Sequence, residues 1–393
     1  MTDAPASGPL VFLIAGENSG DLLGANLMRA LNDQADETVR FAGVGGPEMG
    51  EAGLISLFPM QDLAVMGVFE VLPRLPLLLK RINETANEVE RLNPAVLVTI
   101  DAPDFCFRVI KKLKSRGVNI PTVHYVAPSV WAWRPGRAKK VAQFLDHLLC
   151  LLPFEPAYFE KEGLAATFVG HPVVETSFDG EDREAFRHHH NISPEAPLLC
   201  VLPGSRSGEV ERMMGVFGET VSMLAPQFLG LRVLIPTVAH VEDRVRALAA
   251  AWSVPVVVVK GDEKAAAFRA SNAALATSGT VALELAMAEL PNIIAYRFNP
   301  LTHKIAKVLV KSPYANLINI ILGREAVPEF IQDECNAENL SRELARLLGD
   351  EAARTAQLAA AHQALKQLGL GGPAPGSAAA KVVLSLIKKE KRP

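Results

Sequence analysis

The chain has 393 residues, 49% hydrophobic and 21% charged, with a formal net charge of −3. That length exceeds one ordinary hydrophobic core, so two domains are expected. The near-balanced charge gives no reason to expect a nucleic-acid partner.

The first apolar run, "LVFLIAG" (10–16), has no basic flank and is too short for the core of a signal peptide. It reads as a β-strand, and the protein is expected in the cytoplasm. Further short runs follow: "VRFAGVGG" (39–46), "AVLVTID" (95–101), "PTVHYVAP" (121–128), "HLLCLLP" (147–153) and "TFVGHP" (167–172). Runs that are apolar on both faces suit strands of a parallel sheet covered by helices, and the spacing leaves room for crossover helices. Cys106, Cys150, Cys200 and Cys335 are scattered, with no CxxC pair, and read as buried thiols in a reducing compartment.

One stretch does not fit the strand pattern. "VMGVFEVLPRLPLLLKRI" (65–82) approaches the roughly 20 apolar residues a bilayer span needs. Glu70, Arg74, Lys80 and Arg81 interrupt it, and Pro73 and Pro76 are expected to break a continuous helix there. It is either a core helix with a proline-bent entry or a patch that lies on a membrane surface.

Residues 173–196 are polar and turn-rich, and read as a linker with one short helix. The run His188, His189, His190 within it reads as solvated surface, since adjacent helical positions point different ways. A second α/β series begins with "PLLCVLPG" (197–204) and continues through "LRVLIPT" (231–237), "VPVVVVKG" (254–261), "AALATSGT" (273–280) and "NIIAYR" (292–297). From Ala337 the pattern is helical, with a Gly/Pro break at 369–377. The domains are therefore set at 1–175 and 176–365, with a helical tail at 366–393 that either crosses back or swaps into a partner. Two such domains form a cleft, and open parallel sheets bind ligands beyond the C-terminal ends of their strands.

Five motifs carry chemistry. In "LIAGENSGDLLGANLMRAL" (13–31), Gly16 and Gly20 allow a tight turn into a helix, but GxGxxG is absent. Glu17 and Asp21 suit sugar hydroxyls or general-base work; alternatively, Ser19 and Asp21 cap the helix. "VTIDAPDF" (98–105) puts Asp101 at the end of a strand, as a catalytic group or as plain turn chemistry. "HYVAPSVWAWRPGRAKKVA" (124–142) gathers Trp131, Trp133, Arg134 and Arg137, either to stack on sugar rings and bind phosphate or to pack the core. "VLPGSRSGEVERM" (201–213) offers Ser205 and Arg206 as a phosphate cradle without the GK[ST] of a P-loop. "ATSGTVALELAMAELP" (276–291) places Ser278, Gly279 and Thr280 before a helix, with Glu284 one turn further on and suited to the two hydroxyls of a ribose. Together the last two turns read as a nucleoside-diphosphate site.

In their order, "AGENSGD", "IDAPDF", "HYVAPSVWAW", "LPFE", "FVGHP", "LPGSR", "TSGTVALE" and "GREAVPEFIQDEC" resemble the lipid-A-disaccharide synthase family from about residue 10 to about residue 360. Two positions depart from the family pattern: Ile318 stands where a proline precedes the Gly-Arg-Glu segment, and Asn18 where a small residue is usual. The resemblance implies an α/β chain of GT-B type, with two Rossmann-like domains and a cleft between them. It implies an inverting hexosyltransferase that joins UDP-2,3-diacylglucosamine to 2,3-diacylglucosamine 1-phosphate (lipid X), giving the β-1,6 disaccharide 1-phosphate and UDP. The alternative is another UDP-sugar enzyme of this architecture, a 2-epimerase or a polyprenyl-linked sugar transferase.

On that reading Asp101 is the first choice for general base and Glu17 the second. Gly16, Ser19, Ser205, Arg206, Ser278, Gly279, Thr280, Glu284, Asn319 and Arg324 bind substrate or donor. Val68, Phe69, Leu72, Arg74, Leu77, Leu78, Lys80, Arg81, Trp131 and Trp133 face the acceptor or the membrane. The implied enzyme needs no cofactor and no bound catalytic metal. It is peripheral to the cytoplasmic face of the inner membrane, with a homodimer as an open assembly.

Overall fold

The computed structural model describes residues 8–63, 68–132, 136–178, 180–277, 279–299 and 312–390, with backbone alone at 68–73 and 389–390. The chain divides into two compact units, Met1–Pro172 with Gly371–Pro393, and Val173–Leu370.

The first unit is built on six strands: β1 (Leu10–Ala15), β2 (Arg40–Val44), β3 (Val96–Ile100), β4 (Thr122–Tyr125), β5 (His147–Cys150) and β6 (Ala165–Phe168). They pair in parallel in the order β2-β1-β3-β4-β5-β6. The period-2 alternation of side chains explains why the runs are apolar throughout. Phe12, Ile14 and Leu97 enter a core on one face of the sheet. Val11, Leu13, Ala15, Val96 and Val98 enter another on the opposite face. The terminal helix Pro375–Glu390 returns to this unit and packs on helix Asn18–Gln34, burying Ala379, Ala380, Val383 and Ile387 with Leu27 and Met28.

The helix break expected within 65–82 is not what forms. One helix runs from Val68 to Leu92, through Pro73 and Pro76. Each proline forgoes a backbone hydrogen bond, but the length beyond them is held by tertiary packing. Ile82, Ala86 and Val89 are buried at helical spacing, and the helix lies against helix Pro103–Ser115. Among the described residues no helix is long and apolar enough to cross a membrane.

The second unit has β7 (Leu198–Leu202), β8 (Arg232–Pro236), β9 (Val256–Val259), β10 (Ala273–Ala276), β11 (Asn292–Tyr296) and β12 (Glu329–Ile331). All pair in parallel in the order β12-β11-β10-β7-β8-β9. The short strand β12 was not expected from the sequence. Arg187 anchors the entry to this unit. It is buried, and its guanidinium donates to the carbonyls of Ser193, Pro194, Ala196 and Ala270 and to Asn272 Oδ1. All four cysteines are buried free thiols.

Candidate active site

In an open parallel sheet, ligands bind where the strand order reverses direction. In the first unit that point lies between β1 and β3, whose following loops carry Gly16–Glu17 and Asp101–Ala102. Asp101 and Ala102 both have left-handed backbones, with φ of 50° and 41°, and Val126 at the end of β4 has φ of 82°. Each costs roughly 1–2 kcal/mol in a non-glycine residue, and such strain collects where a side chain must be aimed. The Asp101 N–H donates to Tyr125 O at 2.9 Å, which fixes the elbow to β4. A Cβ on Gly16 would lie 2.6 Å from that of Ala102, so only glycine lets the β1 turn approach the elbow. Burial raises the Asp101 carboxyl above its ordinary value, opposed by the Ala102 N–H.

Glu17 is half-buried and occupies the N-cap position of helix Asn18–Gln34 without a side-chain capping bond; Ser19 is exposed. Asp21 does not serve its own helix. It is buried and accepts from the N–H groups of Gly46, Glu48 and Met49 at 2.7, 2.9 and 3.1 Å, so it caps the next helix, Pro47–Glu51.

The loop after β4 is pinned by the acid that closes the "LPFE" segment. Glu155 is buried and accepts from Trp131 Nε1 at 3.1 Å, Leu151 N at 3.2 Å and Leu152 N at 3.0 Å. Burial pushes its carboxyl up to about 7 despite those bonds. Trp131 also meets Phe154 edge-on, with ring centroids 5.4 Å apart. Its indole N–H is therefore engaged by Glu155, and the half-buried ring helps to hold the loop. Trp133 lies outside the described residues, as does Ser278. His124 is buried with Nδ1 2.8 Å from Thr99 Oγ1, and burial lowers it to about 3, so it stays neutral.

The expected membrane face is also redistributed. Arg81 points inward: it pairs with Asp62 and Glu84 at 2.7 and 2.6 Å and lies over the Phe58 ring. Leu77 and Leu78 are half-buried, and Leu78 packs on the core. Helical spacing leaves Leu75 and Leu79 outward instead, 37% and 46% exposed, beside exposed Arg74 and Lys80. Val68, Phe69 and Leu72 sit in the part of the helix described by backbone alone.

In the second unit the strand order reverses between β7 and β10, and the turns that follow these strands are the two predicted phosphate turns. They open into a cavity of about 630 Å³, lined among others by Ser205, Arg206, Thr237, Lys264, Thr280 and Glu284. That volume is in the range of sites for drug-sized ligands. Gly204 takes φ of 109°, which lets the chain turn after β7. Glu209 shapes the loop by accepting from Ser205 N and Arg206 N at 3.2 and 3.4 Å and from Tyr296 Oη at 3.2 Å. Arg206 is mostly exposed and reaches Glu209 at 3.4 Å. Gly279 and Thr280 are exposed at the start of helix Val281–Met287. Glu284 pairs with Lys264 Nζ at 2.5 Å. Lys264 is a cation of this cavity that carried no motif signal. It starts a helix, and only the fold brings it to Glu284.

Asn319, expected to contact the donor, is fully buried with its amide saturated. It donates to Val327 O and Glu329 Oε1, both at 2.7 Å, and accepts from Ala326 N and Val327 N at 2.8 and 2.9 Å. It supports the Gly-Arg-Glu loop from beneath, and Arg324 is exposed on that loop. Ile318 is fully buried in the short helix Leu317–Leu322, whose N-terminus Asn316 caps. The histidine run divides: His188 and His189 are exposed, while His190 Nε2 lies 2.9 Å from Glu263. His189, His190 and Glu263 are the metal-capable group of three found among the described residues.

The Lipid-A-disaccharide synthetase family model matches residues 11–372. The lipid-A-disaccharide synthase of Rhodospirillum centenum is 52% identical over 381 residues, which is 97% of this chain and 95% of that protein. Among solved structures, a UDP-GlcNAc 2-epimerase from Neisseria meningitidis, bound to UDP-GlcNAc, has a TM-score of 0.63 at 11% identity, covering 97% of this chain and 100% of that one. A glycosyltransferase from Rickettsia africae has a TM-score of 0.59 at 14% identity, covering 98% and 99%. These likenesses establish a GT-B fold.

Proposed function

From the premise that this chain belongs to the lipid-A-disaccharide synthase family, and is thus a glycosyltransferase, we propose how its residues divide the reaction. The donor is UDP-2,3-diacylglucosamine and the acceptor 2,3-diacylglucosamine 1-phosphate. The acceptor's 6-hydroxyl attacks the donor's anomeric carbon, the bond to the UDP oxygen breaks, and the configuration inverts.

Asp101 takes the hydroxyl proton, a contribution of roughly 10²–10⁴-fold in rate for a placed general base. The observation that supports this role is its setting: a half-buried carboxylate on a strained elbow at the reversal point of the first sheet. Because burial raises its carboxyl, the acid limb of the rate profile falls above the ordinary carboxylate value, and activity is lost as pH drops through it. Glu17, on the neighbouring turn, orients the acceptor and is the alternative base. In the second unit Glu284 accepts the ribose hydroxyls. Arg206, Lys264 and the N–H groups of the turn at 279–280 meet the diphosphate, where charge develops as UDP leaves. The enzyme touches the cytoplasmic face of the inner membrane through Leu75 and Leu79, with Arg74 and Lys80 meeting anionic headgroups.

The test is UDP release from the donor with and without acceptor, in the wild type, Asp101→Ala and Glu17→Ala. Release that requires acceptor and collapses in Asp101→Ala supports the assignment. Collapse in Glu17→Ala alone moves the base to Glu17. Acceptor-independent release with a sugar epimerised at C2 refutes the transferase reading.

A further inference from the structure

A second cavity, of about 330 Å³, opens in the first unit between helix Val68–Leu92, helix Pro103–Ser115 and the turn after β1. Its walls are apolar: Leu75, Leu78, Leu79, Ile82 and Phe105. Its polar lining is confined to Glu17, Asp104 and Arg108, and Ala102 of the strained elbow also borders it. Leu75 and Leu79 remain substantially exposed at its edge. An apolar hollow whose Leu75, Leu78, Leu79 and Ile82 come from helix Val68–Leu92, and whose charged groups come from the β1 turn and helix Pro103–Ser115, suits a ligand with a hydrocarbon body and a polar head. The hydrocarbon then lies along the leucines, and the head falls beside Glu17 and the Asp101–Ala102 elbow.

We propose that this cavity seats one acyl chain of the acceptor and sets the chain length the enzyme prefers. The proposal rests on the transferase reading and adds to it a place and a length. At about 30 Å³ for each water-sized group, a volume of about 330 Å³ holds about 11 methylenes. Arg108, the cation among the lining residues, meets the acceptor's phosphate. Part of the leucine-rich segment at 65–82 thereby has an inward purpose: its Leu78 and Ile82 close the cavity, while Leu75 and Leu79 form its lip.

The test is direct binding, measured on the whole chain below micelle-forming concentrations, of 2,3-diacylglucosamine 1-phosphates with acyl chains from short to long. Affinity rises about fourfold per methylene until the cavity is full, then levels off. Leu79→Trp narrows the lip and moves the levelling point to shorter chains; Leu79→Ala moves it to longer ones. Position 79 is exposed enough for both variants to fold, and unchanged circular dichroism and thermal unfolding check that they do. Arg108→Ala weakens acceptors that carry the phosphate by about tenfold and leaves their dephosphorylated forms unaffected. Affinity that ignores chain length, or a levelling point that stays put in both Leu79 variants, overturns the proposal. If chain length governs binding but no UDP is released, the transferase reading falls and the cavity assignment stands. If sugar is transferred with no dependence on chain length, the reverse holds.

Discussion

Replacing Glu155 by Gln tests whether a buried carboxylate under the loop after β4 makes the first unit sensitive to pH. The side chain is 3% exposed, and burial lifts its carboxyl from an ordinary 4.5 to about 7. Because the folded value lies above the unfolded one, the folded state keeps a proton through a window in which the unfolded chain has lost it. Stability from this group is therefore full below about pH 4.5, declines as pH rises toward 7, and is level beyond. At 1.36 kcal/mol per pH unit, the window corresponds to roughly 3 kcal/mol as an upper value. Glutamine cannot ionise and keeps one acceptor oxygen, for the Leu151 and Leu152 N–H groups that share Oε2, while the bond from Trp131 is lost at every pH. Denaturant unfolding of the wild type and Glu155→Gln across this pH range, followed by tryptophan emission, isolates the effect, since other titrating groups cancel in the difference. The variant gains on the wild type as pH rises, by up to roughly 3 kcal/mol, and the gain stops near pH 7. Stability curves that stay parallel across the window refute the reasoning.

Gly16→Ala places a methyl 2.6 Å from Ala102 Cβ, and overpacking there costs about 1–3 kcal/mol. Denaturant unfolding checks this, and a loss under about 0.5 kcal/mol contradicts the close-approach argument. Asn319→Ala strips hydrogen bonds from buried Val327 and its neighbours, at about 1–3 kcal/mol for each group left unsatisfied. Its thermal unfolding shifts down markedly while UDP affinity changes little; the opposite pattern makes Asn319 a donor contact after all. Lys264→Met removes a cavity cation and weakens UDP by about tenfold, with uridine unaffected, as titration calorimetry would show. If both ligands bind more tightly, Lys264 acts only by masking Glu284.

Eleven of the twelve described strands were legible in the sequence, because a strand buried on both faces must be a short apolar run bounded by turn residues. β12 escaped because its three residues lie in a polar segment with no apolar run to mark them. The two turns that border the second unit's cavity were readable as glycine-rich strand-to-helix turns. What local sequence hides is the partner across the fold. Asp21 looks like a cap for its own helix and serves another 25 residues away. Asn319 sits in a motif, yet its amide bonds are all directed to the chain that follows it. Lys264 lies in no motif and Glu155 only ends the "LPFE" segment, and their places become visible only through Glu284 and Trp131. Arg81 looked like a surface cation until Asp62 and Glu84 closed on it.

Transfer is decided by the product formed from UDP-2,3-diacylglucosamine and 2,3-diacylglucosamine 1-phosphate, identified by mass and by proton NMR of the new anomeric centre. The expected result is one UDP for each tetraacyl disaccharide 1-phosphate, joined through a β-1,6 bond. UDP accompanied by free or epimerised sugar, or a linkage that retains the donor's α configuration, would contradict it.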